Sequence, residues 1–162
     1  MDEETFQRLL KPDLYQVFLL TCPATLPYSF ASHPWFVVNK KGTVSRWEVF
    51  WRPWFGHIFR WGHLHKDFYT PTQGVEMFFL SKKHFWGPGT LRGYEEGGEG
   101  SIAQRMAAFI ENSGEAYPHC NIYSLLGPNS NTYVQWVLNN FPGSKLGLPW
   151  NSFGKKKAPM LQ

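Results

Sequence analysis

Three groups of side chains in this chain have the types and spacing that chemistry requires. The first is Gly127-Pro-Asn-Ser-Asn-Thr132, followed at helical spacing by Tyr133, Val134, Trp136, Val137 and Leu138. That pattern opens a helix, and at a helix opening unpaired N–H groups and the positive end of the dipole favour an anion. A carboxylate can bind there, or a reacting carbonyl can be held as its oxyanion. Ser130 is placed to act as a nucleophile beside such a site, with Asn129 and Asn131 at the same mouth. Plain capping explains the same residues, since Asn129, Ser130 and Asn131 are all ordinary N-cap types.

The second group is His33 with Glu48. His33-Pro-Trp-Phe-Val-Val38 and Thr43 to Trp51 read as the two strands of a hairpin joined by Asn39-Lys-Lys-Gly42. If Asn39 faces Gly42 in a type I turn, paired positions sum to 81 and Glu48 lies opposite His33; a glycine bulge makes the sum 82. A histidine held by a carboxylate has a fixed tautomer and can serve as a general base. The other reading is a surface histidine with an incidental neighbour, Glu48 pairing with Arg46 or Arg52 instead.

The third group is His57, His63 and His65, with His84 and Asp67 as further ligands. His-x-His on a strand puts both rings on one face, as a zinc site can use, but the spacing follows no established ligand motif. No metal and no cofactor are therefore expected. Cys22 and Cys120 read as buried thiols. Cys120 adjoins His119, but neighbours on an extended chain point apart.

These groups need a scaffold, and 162 residues provide one domain with a full hydrophobic core. Aromatic residues at 18%, with 12 Pro and 15 Gly, describe short strands and turns around ring-filled layers rather than a helical bundle. The fold class is α+β: a small, mostly antiparallel sheet with packed helices. A short helix over the first dozen residues precedes a strand at 14–21. Residues 52–72 form a long aromatic segment, Val75 to Leu80 reads as a strand, and 87–100 as loop. A helix follows, with Ser101 as N-cap, Gln104 completing a capping box and Gly114 at its C-terminal end. Asn121 to Leu126 reads as a short strand or an extended lead-in. The core spans about 14–154, and 155–162 is a basic, frayed tail.

The charge of 16 − 12 = +4 owes three units to Lys155, Lys156 and Lys157, so the body is nearly neutral and lacks the basic stripe of a nucleic-acid binder. Aromatics and arginines interleaved from Arg46 to Trp61 could stack single-stranded bases or simply pack a sheet. No apolar run reaches the length of a membrane span. Acidic Asp2, Glu3 and Glu4 stand where a signal peptide would be basic, so the chain as it stands reads as cytoplasmic. Envelope association stays open if a leader has been removed, and the oligomeric state is not readable.

HPWFVV at 33–38, RWEV at 46–49, GPNSNTYVQWV at 127–137 and LGLPW…FGK at 146–155 recur in this order in a family that the chain resembles over about 14–157. That family consists of bacterial proteins catalogued only as a domain of unknown function. It is in turn similar to the circularly permuted papain-like group, which includes NlpC-type peptidases and lecithin retinol acyltransferase-like enzymes. The resemblance implies a strand histidine at His33, an orienting residue at Glu48 and a nucleophile at Ser130. Amides near Asn129 to Asn131 would hold the oxyanion. It implies amide or ester hydrolysis or acyl transfer on cell-wall peptides or lipid acyl groups, in a cleft lined by Trp35, Trp47 or Trp51. An inert papain-like module binding a peptide or carboxylate at 127–132 is the alternative. The wider group has Cys where this chain has Ser130. A thiol near pKa 8.5 gains directly from a helix end, whereas a serine hydroxyl depends wholly on its base.

Overall fold

The chain Tyr15-Gln-Val-Phe-Leu-Leu-Thr-Cys22 is buried at every residue, which an alternating half-exposed strand cannot be. It runs through the middle of a sheet covered on both faces, where apolar residues are needed on each side. In a computed structural model, which describes residues 1–52, 61–76 and 86–159, this segment is strand β1 (Tyr15–Pro23). It pairs antiparallel with β2 (Ser32–Lys40), which pairs with β3 (Thr43–Val49), which in turn pairs with β4 (Leu64–Lys66). On the other side of β1 lies β7 (Thr90–Gly97), giving the order β4-β3-β2-β1-β7. A separate ribbon joins β5 (Gln73–Glu76) to β6 (Trp86–Pro88). The architecture is α+β.

One face of the sheet presents Val17, Leu19, Phe36, Val38, Trp47 and Val49. Helices α2 (Ile102–Glu111) and α4 (Ser130–Asn139) close that face with Met106, Ile110, Tyr133 and Val137. The other face presents Phe18, Leu20, Cys22, Trp35 and Val37, covered by Phe6 of α1 (Glu3–Leu9) and Val75 of β5. The Asp2 side chain caps α1, accepting from the Thr5 N–H at 2.7 Å. A short helix α3 (Ser113–Ala116) follows α2 directly.

The hairpin register differs from both expected values. Lys40 pairs with Thr43 and Phe36 with Trp47, so paired positions sum to 83. The turn holds two residues, Lys41 (φ 49°) and Gly42 (φ 91°), both left-handed as a type I′ turn requires. Asn39 still meets Gly42, but through its side chain, whose Oδ1 accepts the Gly42 N–H at 2.8 Å. A shift of two residues from the sum of 81 keeps every side chain on its face. Glu48 therefore shares a face with His33, displaced along the strand.

Four further expectations change. Residues 90–97, read as loop, form edge strand β7; its alternation of exposed and partly buried polar residues hides a strand from a hydrophobicity reading. Gln104 accepts the Gly100 N–H instead of closing a box on Ser101, although Ser101 does cap α2. Gly114 lies inside α3, where the Trp61 ring occupies the place of a side chain, so a Cβ would stand 2.3 Å from Trp61 Cε2. The segment 121–126 forms no strand; 122–124 run without regular structure between turns at its two ends. Lys155–Lys157 form a 3-10 turn held to α4, with Thr132 Oγ1 donating to Gly154 O at 2.9 Å. The strand expected at 75–80 is seen as Gln73–Glu76; positions 77–80 lie outside the described residues.

Candidate functional site

His33 stands near the start of β2, 6% exposed, with Nε2 3.1 Å from Glu48 Oε2. Glu48 is wholly buried, and an isolated carboxylate there would be prohibitively costly. Its compensation is Arg46, two residues earlier on the same face of β3. Arg46 Nη2 donates to Glu48 Oε2 at 2.8 Å. Nε lies 2.8 Å from Oε1, a charge contact whose angle falls short of a directed hydrogen bond. The remaining nitrogen, Nη1, donates to Thr70 O at 2.7 Å and to Gln73 O. The guanidinium plane sits 4.3 Å from the Trp35 ring centroid and 5.3 Å from that of Tyr69. Glu48 thus pairs with Arg46 and His33 at once.

Burial pushes the Glu48 carboxyl upward, but the His33 hydrogen bond and the Arg46 charge outweigh it and leave it below the usual carboxylate range. An ionised Glu48 only accepts, so His33 Nε2 must carry a proton. The free lone pair of a neutral His33 is then on Nδ1.

The mouth of α4 is organised differently, without charge. Asn129 Oδ1 accepts from the N–H groups of Asn131 and Thr132 at 3.0 and 3.2 Å. Thr132 Oγ1 accepts the Asn129 N–H at 3.1 Å, completing a capping box. Asn129 Nδ2 donates to Leu125 O and Phe153 O. Asn131 Nδ2 donates to Phe153 O and, at 3.0 Å, to Ser32 O. That last bond ties the helix mouth to the residue preceding His33. The backbone N–H groups and the side-chain amide nitrogens of Asn129 and Asn131 are therefore engaged by the cap and its neighbours. Ser130 is the exception. It is 4% exposed, and neither its hydroxyl nor its N–H has a hydrogen-bond partner among the described residues. Ser32 Oγ and Asn131 Oδ1 are buried there, also without partners among the described residues.

A cavity of about 1010 Å³ opens between the two groups and is lined by His33, Ser32 and Ser130. Its remaining wall is largely apolar, including Phe30, Phe50, Trp51, Tyr69, Leu125 and Phe153. His33 and Ser130 face one space, yet no hydrogen bond joins them. Trp51 lines the cavity as expected. Trp35 and Trp47 do not: both are buried, Trp35 beneath Arg46 and Trp47 on the opposite face, stacked on Trp61. The same burial of Arg46 and Trp47 removes the front of the proposed base-stacking segment.

The described histidines of the third group do not converge. His63 precedes β4, and its Nδ1 accepts the Arg52 N–H at 3.1 Å. His65 stacks on Phe50 with centroids 4.1 Å apart, and burial, aided by the Arg52 charge, pushes it down to about 4. Asp67 accepts the Arg46 N–H. No group of three or more metal-ligating side chains is found among the described residues, outside which His57 and His84 lie. Cys22 pairs with His33 in the β1–β2 register, but burial pushes its thiol up to about 11, and its Sγ accepts the Val75 N–H. Cys120 is half-buried, and its thiol is also raised by burial. Both cysteines are free.

Sequence reading missed Ser32 and the apolar wall. Part of the wall sits in the Pro-rich loop 23–31 and just before Gly127, where exposed Tyr28, Phe30, Leu125 and Leu126 are unusual for turn segments.

The chain belongs to the family described as "Protein of unknown function (DUF3750)", whose model matches residues 16–156. No curated protein and no solved structure matches it. No helix among the described residues is long and apolar enough to cross a membrane.

Proposed function

We propose that this member of an unknown-function family is an acyl-transfer enzyme of permuted papain-like arrangement, hydrolysing or transferring an amide or ester. The observation that carries the reading is the pairing of a charge-anchored histidine with an uncommitted serine on one cavity. Ser130 Oγ attacks the substrate carbonyl, and its proton passes to His33 Nδ1. Glu48 accepts the Nε2–H throughout and stabilises the imidazolium, while Arg46 keeps Glu48 ionised and in place. The Ser130 N–H and the Ser32 hydroxyl donate to the oxyanion. His33 then returns the proton to the leaving amine or alcohol, and water or a second alcohol releases the acyl group by the reverse steps. The apolar wall suits a lipid acyl chain or the side chains of a peptide.

A second reading rests on one observation, the missing hydrogen bond between Ser130 and His33. The same cavity then binds a peptide end or carboxylate without turnover. Labelling with a fluorophosphonate probe separates the two. The acyl-transfer reading predicts labelling that is lost in both Ser130→Ala and His33→Ala. A folded wild-type protein that stays unlabelled supports the binding module instead.

A further inference from the structure

Tyr28, Phe30, Trp51, Leu125, Leu126 and Phe153 line the cavity and are also solvent-exposed, so they form its rim. Leu126 is 76% and Phe30 64% exposed. Trp150, 84% exposed, adjoins this surface along the chain: the next residue, Asn151, donates from Nδ2 to Phe30 O at 3.0 Å. So many large apolar side chains around one opening mark an interaction surface.

Charge selects the occupant. The three segments that build most of the rim, 23–32, 121–130 and 149–159, contain no Asp or Glu. Their only side chains that are charged throughout the neutral range are Lys155, Lys156 and Lys157, immediately after Phe153 and Gly154. Lys155 Nζ is tied to Pro149 O at 3.1 Å, while Lys156 and Lys157 are exposed and form no ion pair among the described residues. Glu76 lines the cavity, but the three rim segments hold no acid, so a twofold pairing of two such rims would set lysines near lysines with no rim acid to answer them. A surface with apolar depth and anionic headgroups answers both features.

We infer that the cavity mouth docks on an anionic lipid bilayer, with Phe30, Leu126 and Trp150 entering the interfacial layer and Lys156 and Lys157 meeting the headgroups. Resting on the acyl-transfer reading, this narrows the substrate to an acyl ester or amide drawn from the membrane. The leaving group faces the headgroup layer, and the acyl chain follows the apolar wall to Ser130.

The test is co-sedimentation of the full chain with phosphatidylcholine vesicles, with and without about one quarter phosphatidylglycerol. Binding to the anionic vesicles, weakened by salt, is expected, and little binding to phosphatidylcholine alone. Replacing Lys156 or Lys157 by Gln should each cost about fivefold in affinity. Leu126→Glu and Trp150→Glu should abolish binding; these exposed positions leave folding intact, as circular dichroism will show. Absence of binding to either vesicle overturns the proposal. So does binding that Leu126→Glu and Trp150→Glu leave unchanged, or self-association that Leu126→Glu dissolves in a chain that ignores vesicles. Ser130→Ala should sediment like the wild type, so failure of the chemistry and failure of docking are read separately.

Discussion

The two walls of the cavity are stabilised in opposite ways. On the His33 side, two full charges are buried in the sheet and held by each other, by two backbone carbonyls and by the Trp35 and Tyr69 rings. On the Ser130 side, neutral amides and a threonine hydroxyl satisfy the N–H groups of Asn129, Asn131 and Thr132, while Ser130 and the Asn131 Oδ1 keep no partner among the described residues. The difference fits the two tasks proposed for them. A base needs a fixed tautomer and a permanent counter-charge, which only an anchored carboxylate gives. A nucleophile needs its hydroxyl and N–H left unoccupied, which requires its neighbours to satisfy the cap without it.

Breaking the charged wall should have the largest effect. Arg46→Met leaves Glu48 buried without its cation and should cost about 3–5 kcal/mol, read by urea unfolding. Replacing Arg46 and Glu48 together by Met and Leu should recover much of that loss. If the double variant is no more stable than the single, the charges are not compensating each other. On the neutral wall, Asn129→Ala should cost about 1–2 kcal/mol, as loss of an N-cap does, and possession of further bonds to Leu125 and Phe153 puts it at the upper end.

Acid should strike the charged wall and its neighbour first. His65 titrates lower when folded than when unfolded, so its contribution is complete above its unfolded value and is lost as pH falls toward about 4. Glu48, also depressed, adds a loss that begins below its unfolded value. The melting temperature should therefore decline from about pH 6.5 downward and steepen below about 4.5. His65→Phe, which keeps the stack on Phe50, should flatten the upper part of that decline. The smallest effect belongs to Ser130→Ala, within about 0.5 kcal/mol in the same unfolding assay, because the hydroxyl has no partner to lose.

Sequence reasoning reached different depths on the two walls. The α4 mouth was legible because capping chemistry is local: GPNSNT names its own structure. That Ser130 is the residue left over was not, since the partners of Asn129 and Asn131 come from residues 125 and 153 and from Ser32 of β2. On the other wall, His33 and Glu48 were matched even though the register was two residues off, because a two-residue slip preserves the face. Arg46 was treated as a rival partner for Glu48; a carboxylate has enough acceptor sites for both. Trp35 and Trp47 were misplaced because a ring in a strand gives no sign of whether its face looks on the cavity or the core. Strand β7 was hidden by its polarity, as edge strands often are.

The central claim is that the two walls act as one site, and a thiol reporter at the nucleophile position tests it most directly. In a background with Cys22 and Cys120 replaced by Ser, the alkylation rate of Ser130→Cys is measured against pH, with and without His33→Ala. If the walls are coupled, the thiol should titrate well below the free-thiol value of about 8.5 and move upward when His33 is removed. A thiol that titrates at or above that value, indifferent to His33, would contradict the account.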